Sequence, residues 1–382
     1  MNRFLRDVFH TLTSSDQVLL GVVVFLCLIG LIAVYDAGSF RSEASSSTSY
    51  LVKFAFRLLV GWVALIGASR IDYHRWQEQP WRKIIILTGT LLLLSTIVLQ
   101  WTGLVSARAK AARWILFIQP VEIAKLALIL DLACRFAPGW DRVTREGANL
   151  RGALLVPSLM ILTLALQPNF GNVIVFSLLT LHAVTLSGMP RLWFLRFGGA
   201  AAGLAVLGVM TVPRIHTRVF DWINSILQGR WEYQVDQGII AMGSGGLAGQ
   251  GIGASRQRLA FLPDAHTDFI YAVIGEETGL IGSVVVLILF GILAARGYKI
   301  AREAGDGFGR LLASGITSML LIYAMINLGM VTGLLPVMGL PLPFISYGGS
   351  ALVTNLAAVG VLLNIDRQKR DMTTRLQRMR IS

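Results

Sequence analysis

Ten uninterrupted apolar runs, at 18–36, 51–69, 84–103, 121–137, 152–168, 171–188, 191–212, 270–296, 311–334 and 343–365, leave this chain little choice of fold. Each is of a length, about 17–25 residues, that crosses a bilayer core as a helix. Inside lipid the helix is the one open-chain form that satisfies its own backbone polar groups. The fourth and fifth runs are short, and the fourth carries Glu122, Lys125 and Asp131. Charged residues make up only 14% of the chain, against roughly 25% in a soluble domain. The expected fold class is an all-α polytopic membrane protein of ten transmembrane helices. Residues 1–382 read as a single integral membrane domain, with no soluble part large enough to fold alone. The polar stretch 1–17, with Arg3, Arg6 and Asp7, reads as a short tail and not as a secretory signal.

Lys and Arg in short loops set orientation, because they are retained on the cytoplasmic side. Arg70, Arg75, Arg82 and Lys83 fall between runs two and three, and Arg142, Arg145 and Arg151 between runs four and five. Arg296, Lys299, Arg302 and Arg310 follow run eight, and the basic tail 366–382 adds Arg367, Lys369, Arg370, Arg375, Arg378 and Arg380. All share one side if both termini are cytoplasmic. The one large extracytoplasmic loop is then 213–269, between spans seven and eight.

Two segments on the outer side depart from that charge rule. One holds Arg108, Lys110 and Arg113; the other, the long loop, holds Arg214, Arg218, Arg230, Arg256 and Arg258. They read either as sites for an anionic partner such as a phosphate-bearing lipid, or as cations that a long loop tolerates. The net charge of +13 therefore needs no nucleic acid partner; the lipid bilayer accounts for it. Cys27 and Cys134 lie inside apolar runs and read as small core residues. No zinc spacing, Walker motif or dinucleotide fingerprint occurs, so ATP-driven and redox functions have no support.

Chemistry concentrates around residues 261–277. Asp264, His266 and Asp268 lie on a polar segment at the mouth of an apolar run, and Glu276 and Glu277 enter the run itself. Carboxylates at membrane depth cost roughly 2.5–3.5 kcal/mol each and mark functional sites. Upstream, Gly243-Ser-Gly-Gly246 and Gly249-Gln-Gly-Ile-Gly253 read as tight turns or as a phosphate cradle, and 236–242 as a surface-lying amphipathic helix. Near the other end, 333–350 holds three prolines at 336, 341 and 343 and glycines at 333, 339, 348 and 349. Such a stretch cannot be one continuous helix, so a broken or re-entrant element beside a cavity is expected there.

Four stretches carry a resemblance to a known family. They are Arg113-Trp114 with Gln119-Pro-Val-Glu-Ile-Ala-Lys125; Tyr233-Gln-Val-Asp-Gln237; Leu262-Pro-Asp-Ala-His-Thr-Asp-Phe269 with Gly275-Glu-Glu-Thr-Gly279; and Pro341-Leu-Pro-Phe-Ile-Ser-Tyr-Gly-Gly-Ser350. From about residue 18 to about 366 the chain resembles the SEDS family (shape, elongation, division and sporulation), whose members include FtsW and RodA. Ala295-Arg-Gly297 with 300–310, and Ala265-His-Thr-Asp268, are more similar to FtsW than to RodA. It departs from the family where Asn169 stands in place of an acidic residue in Gln167-Pro-Asn-Phe-Gly171, and where Gly238, Thr278 and Ala351 replace Ser, Leu and Ser. The segment between Trp114 and Gln119 is also shorter than usual.

The resemblance implies a peptidoglycan glycosyltransferase that polymerises lipid II at the outer face of the bacterial cytoplasmic membrane, in cell division or elongation. An acceptor sugar hydroxyl attacks the donor's anomeric carbon, and the lipid diphosphate leaves with inversion. The reaction needs one base and positive charge near the leaving group. Asp268 aligns with the family's catalytic aspartate. Arg113, Lys125, Glu122, His266, Arg256, Arg258, Gln237, Ser346, Tyr347 and Ser350 are the expected substrate or diphosphate contacts, with Glu122 and Lys125 alternatively a mere internal ion pair. No metal ligands are assigned; a divalent cation, magnesium or manganese, suits the diphosphate, but no motif demands it. Implied partners are a class B penicillin-binding protein and other divisome or elongation-complex membrane proteins. A lipid II flippase and a non-catalytic scaffold are the competing readings. A flippase calls for polar residues through the inner half of the membrane, where Asn327 is one of few.

Overall fold

All ten apolar runs form helix in the computed structural model, which describes residues 16–38, 46–101, 118–139, 142–143, 149–255 and 266–381. The helices are α1 (Gln17–Gly38), α2 (Ser46–Arg70), α3 (Trp81–Trp101), α4 (Pro120–Phe136), α5 (Asn149–Leu166), α6 (Phe170–Leu186) and α7 (Arg191–Thr211). The loop 213–269 contributes α8 (Pro213–Gln228) and α9 (Tyr233–Gly245). The chain then continues through α10 (Ile270–Glu303), α11 (Gly307–Val331) and α12 (Gly349–Ile381). A 3-10 turn, Tyr73–Trp76, links α2 to α3, and the described residues include no β-strand. Helices α1, α2, α3, α10, α11 and α12 contain six candidate membrane spans by length and composition; those within α5 and α6 are shorter apolar stretches. The chain is a multi-pass membrane protein.

Two expected boundaries move. The last span starts at Gly349 and not at 343, since Pro341 and Pro343 hold the preceding stretch out of helix. The basic stretch from 366 is helical, since α12 runs unbroken to Ile381.

Helix α11 is the axis of the bundle, buried along nearly its whole length from Phe308 to Val331. It packs against α4, α6, α10 and α12, while α2 and α12 form the most extensive helix pair. Ion pairs fasten the expected cytoplasmic ends. Arg296 meets Asp16 at 2.5 Å and Lys369 meets Glu303 at 2.5 Å. Tyr73 donates to Asp306 at 2.5 Å, and Asp306 caps α11 by accepting from Gly309 N–H at 2.8 Å.

Helix α10 is broken at Gly279 (φ +68°, ψ −162°). A break inside an apolar helix strands backbone groups that lipid cannot satisfy. The turn after α9 satisfies them. Gln250 and Gly251 N–H donate to the carbonyls of Glu276 and Glu277, both at 3.0 Å, and Leu280 and Ile281 N–H donate to Gly246 (2.9 Å) and Leu247 (3.2 Å). The glycine-rich turn is therefore the other half of a helix break and not a phosphate cradle. Glu276 and Glu277 belong to the same junction: Ser255 Oγ donates to Glu276, and Gly253 N–H donates to Glu277 Oε1 at 3.2 Å. Both glutamates are buried and hold the loop to the helix.

Residues 332–348 re-enter the bundle. A Cβ on Gly30, inside α1, would lie 2.7 Å from the Phe344 carbonyl oxygen, so the loop backbone touches that helix directly. Leu340, Leu342, Phe344 and Ile345 are all buried, and Leu342 N–H is satisfied by Ser346 Oγ at 2.8 Å. The amphipathic α8 covers the loop, with Trp222 Nε1 donating to the Gly333 carbonyl at 3.0 Å.

Gly249 (φ +83°) lies against the α10 break, and a Cβ there would fall 2.1 Å from the Glu277 carbonyl oxygen. Gly249→Ala is therefore expected to lose about 1–3 kcal/mol. The check is thermal unfolding in detergent, in which Gly243→Ala, whose Cβ would meet nothing within 4 Å, serves as control.

Candidate active site

His266, Thr267 and Asp268 immediately precede α10, where Phe269 leaves helical geometry. Two elements fix them. Asn327 of α11 donates its side-chain amide to the Asp268 carbonyl at 2.9 Å, and Tyr347 N–H donates to the His266 carbonyl at 3.0 Å. The re-entrant loop also flanks the carboxylate itself: a Cβ on Gly339 would stand 3.4 Å from Asp268 Oδ2. His266 and Tyr347 face each other as tilted rings, centroids 5.7 Å apart.

The same loop ends at α12, where Ser350 Oγ accepts from Gln119 N–H at the start of α4 (3.3 Å). Ser346 turns inward to cap its own loop. Asp268, His266, Tyr347 and Ser350 are thus held around one re-entrant loop by the starts of α4, α10 and α12. Gln237 lies half-buried on α9, beside Gly238, which packs on the Phe269 ring. Arg113, Arg256, Arg258 and Asp264 lie outside the described residues.

Glu122 and Lys125 form an internal pair, as one of the two readings had it. Their charged atoms are 2.5 Å apart and both side chains are almost fully buried. Lys125 also donates to Asn355 Oδ1 of α12 at 3.1 Å and sits 4.4 Å from the Tyr323 ring centroid. Tyr323 in turn donates to Asn172 (2.5 Å), and Asn172 donates to Asn169 Oδ1 (3.0 Å). Asn169 therefore serves as a neutral hydrogen-bond acceptor at the end of a relay, a role that needs no charge. Asn327 belongs to the C-terminal end of α11, beside Asp268.

Loop-charge counting missed Arg57, which lies inside a span. Its guanidinium stacks 4.5 Å over the Tyr347 ring and lies at the first residue of α12, where a Cβ on Gly349 would be 2.6 Å from Nε. An Arg and a Lys (Lys53) one turn apart in run 51–69 were the available signal. Arg57 places a cation next to the His266–Tyr347 pair, at the positive end of a helix.

The site thus brings together a carboxylate at the loop–helix boundary, a re-entrant loop and, across the Tyr347 ring, the Arg57 cation. The FTSW_RODA_SPOVE family model, described as "Cell cycle protein", matches residues 16–371. The chain belongs to this family. A relative from Geobacter metallireducens named "Probable peptidoglycan glycosyltransferase FtsW" is 36% identical, with 92% of this chain and 94% of that protein covered. Stage V sporulation protein E of Bacillus subtilis is 35% identical, covering 94% of this chain and 98% of that one. Among solved structures, one titled as a peptidoglycan synthase complex matches with TM-score 0.71 and 26% identity, over 93% of this chain and 98% of that chain. Thermus thermophilus Rod shape determining protein RodA matches with TM-score 0.62 and 26% identity, over 93% and 97%. The fold is thus that of the FtsW/RodA family.

Breaking a buried ion pair on one side leaves an uncompensated charge, at a cost of roughly 3–5 kcal/mol. Lys125→Met is therefore expected to destabilise the protein strongly, and the Glu122→Gln/Lys125→Met pair to recover much of that loss. Melting temperatures of the single and double variants in detergent check this.

Proposed function

We propose that this chain is a peptidoglycan glycosyltransferase that polymerises lipid II at the outer face of the bacterial cytoplasmic membrane. The carrying observation is the placement of Asp268 between Asn327, Gly339 and the start of α10. The relatives' names give the substrate class. In this reading all ten apolar helices cross the membrane, both termini are cytoplasmic, and 213–269 is the outer loop of a single domain.

Asp268 is the general base. The acceptor sugar's hydroxyl attacks the donor's anomeric carbon as its proton passes to the Asp268 carboxylate. The new C–O bond forms as the bond to the diphosphate breaks, and that electron pair leaves with the lipid diphosphate, inverting the carbon. Arg57, joined by Arg113, Arg256 and Arg258, offsets the charge that develops on the leaving group. His266, Tyr347, Ser350 and Gln237 line the acceptor and donor positions. Ser346 shapes the loop from within, and the Glu122–Lys125 pair anchors α4 beneath it. Among the described residues no three His, Cys, Asp or Glu side chains converge into a metal cage. In this mechanism the arginines carry the diphosphate.

The similarity to a peptidoglycan synthase complex that coordinates polymerization and crosslinking supports a crosslinking partner, for which a class B penicillin-binding protein is the candidate. The family's description as a cell cycle protein favours a role in division, with rod-shape determination, named for RodA, the alternative.

The test is lipid II polymerisation by purified protein, with and without its cognate transpeptidase and with penicillin present to suppress crosslinking. Wild type is expected to make long glycan strands, and folded Asp268→Asn none. Strands from the mutant would remove the base assignment; none from either, with lipid II still bound, would favour the flippase or scaffold. Arg57→Ala is expected to raise the KM for lipid II about tenfold, the worth of one charge-assisted contact.

A further inference from the structure

We infer that Asn327 is the positioning residue for Asp268, a role that rests on the glycosyltransferase reading above. Asn327 lies on α11 one turn before its outer end and is completely buried. Its amide nitrogen donates one hydrogen to the Asp268 carbonyl at 2.9 Å and the other to the Leu340 carbonyl at 2.7 Å. Only this amide orientation fits, because the flipped one would set an oxygen against two carbonyl oxygens. Its own oxygen, Oδ1, has no hydrogen-bond partner among the described residues. A buried acceptor left unpaired is costly, and a polar side chain inside a membrane helix costs more than an apolar one. The sequence keeps both costs in return for one thing the pair of donors does.

That thing is to join two elements across the site. One carbonyl belongs to the residue whose carboxylate is the base, and the other to the residue after Gly339, whose Cα faces that carboxylate. Asn327 therefore sets how far the re-entrant loop stands from Asp268 Oδ2 while touching no part of the carboxylate itself. No other uncharged side chain of this size offers two hydrogens from one atom: Thr offers one, and the isosteric Asp offers none when ionised.

The experiment measures steady-state lipid II polymerisation by Asn327→Ala, Asn327→Thr and Asn327→Asp, normalised to lipid II-binding sites, across pH. Asn327→Ala is expected to lower kcat at least tenfold with KM within twofold, and to displace the acid limb of the kcat–pH profile. Asn327→Asp should be worse, and Asn327→Thr intermediate. A purely structural residue would reduce the number of binding sites and leave kcat per site and the pH profile unchanged, and that result overturns the inference. Should Asn327→Ala not be recovered folded, Asn327→Thr decides by the same two readouts. If wild type polymerises and Asp268→Asn does not, yet the Asn327 variants keep full kcat, this inference alone fails. Activity in Asp268→Asn instead removes the reading on which it rests.

Discussion

Unsatisfied backbone at membrane depth is the constraint on which this structure depends. A lipid-embedded chain can leave the helix only where protein supplies the missing hydrogen bonds, and this chain does so at Gly279 and at 332–348. At Gly279 the turn after α9 supplies both donors and acceptors to the broken α10. At 332–348 side chains join the backbone in that supply, with Ser346 serving Leu342 N–H and Asn327 serving the Leu340 carbonyl. The segment 266–268 borders the second of these stretches, with Tyr347 N–H donating to the His266 carbonyl and Asn327 to the Asp268 carbonyl.

Charge inside the bundle follows the same logic of satisfaction. The four charged residues of α4 are paired within the helix, Glu122 with Lys125 and Asp131 with Arg135, the latter at 2.6 Å. Pairing makes a charged span tolerable in lipid and leaves α4 rigid under the site. Asn355, Tyr323, Asn172 and Asn169 extend the inner pair into a relay across three further helices. In such a relay an acceptor suffices at its far end, a role that Asn169 fills without the acid that the resemblance led one to expect there.

The helices were legible in the sequence because apolar length alone determines them, and the Pro/Gly content of 333–350 correctly marked a re-entrant element. Legible too was the importance of 261–277, though its carboxylates have divided roles. Asp268 faces the site, whereas Glu276 and Glu277 hold the α10 break, a distinction that depends on a partner turn some 26 residues away. Arg57 was hidden because orientation is read from loops and this cation sits inside a span. Asn327 carried no motif at all; its meaning lies in two carbonyls that become neighbours only after α11 and the loop have packed. The amphipathic α8 is plain in hindsight from its alternation of Arg218, Trp222 and apolar residues, but lay inside a loop read for its glycines.

The central claim is that the broken backbone presents position 268 to the outer face. It is tested most directly by introducing Asp268→Cys into a chain whose buried Cys27 and Cys134 have been replaced by Ala. Intact cells are then exposed to a membrane-impermeant thiol reagent. The account predicts labelling from outside, blocked by prior addition of lipid II to outward-facing vesicles. Labelling only after the membrane is permeabilised would place the site on the opposite face and contradict it.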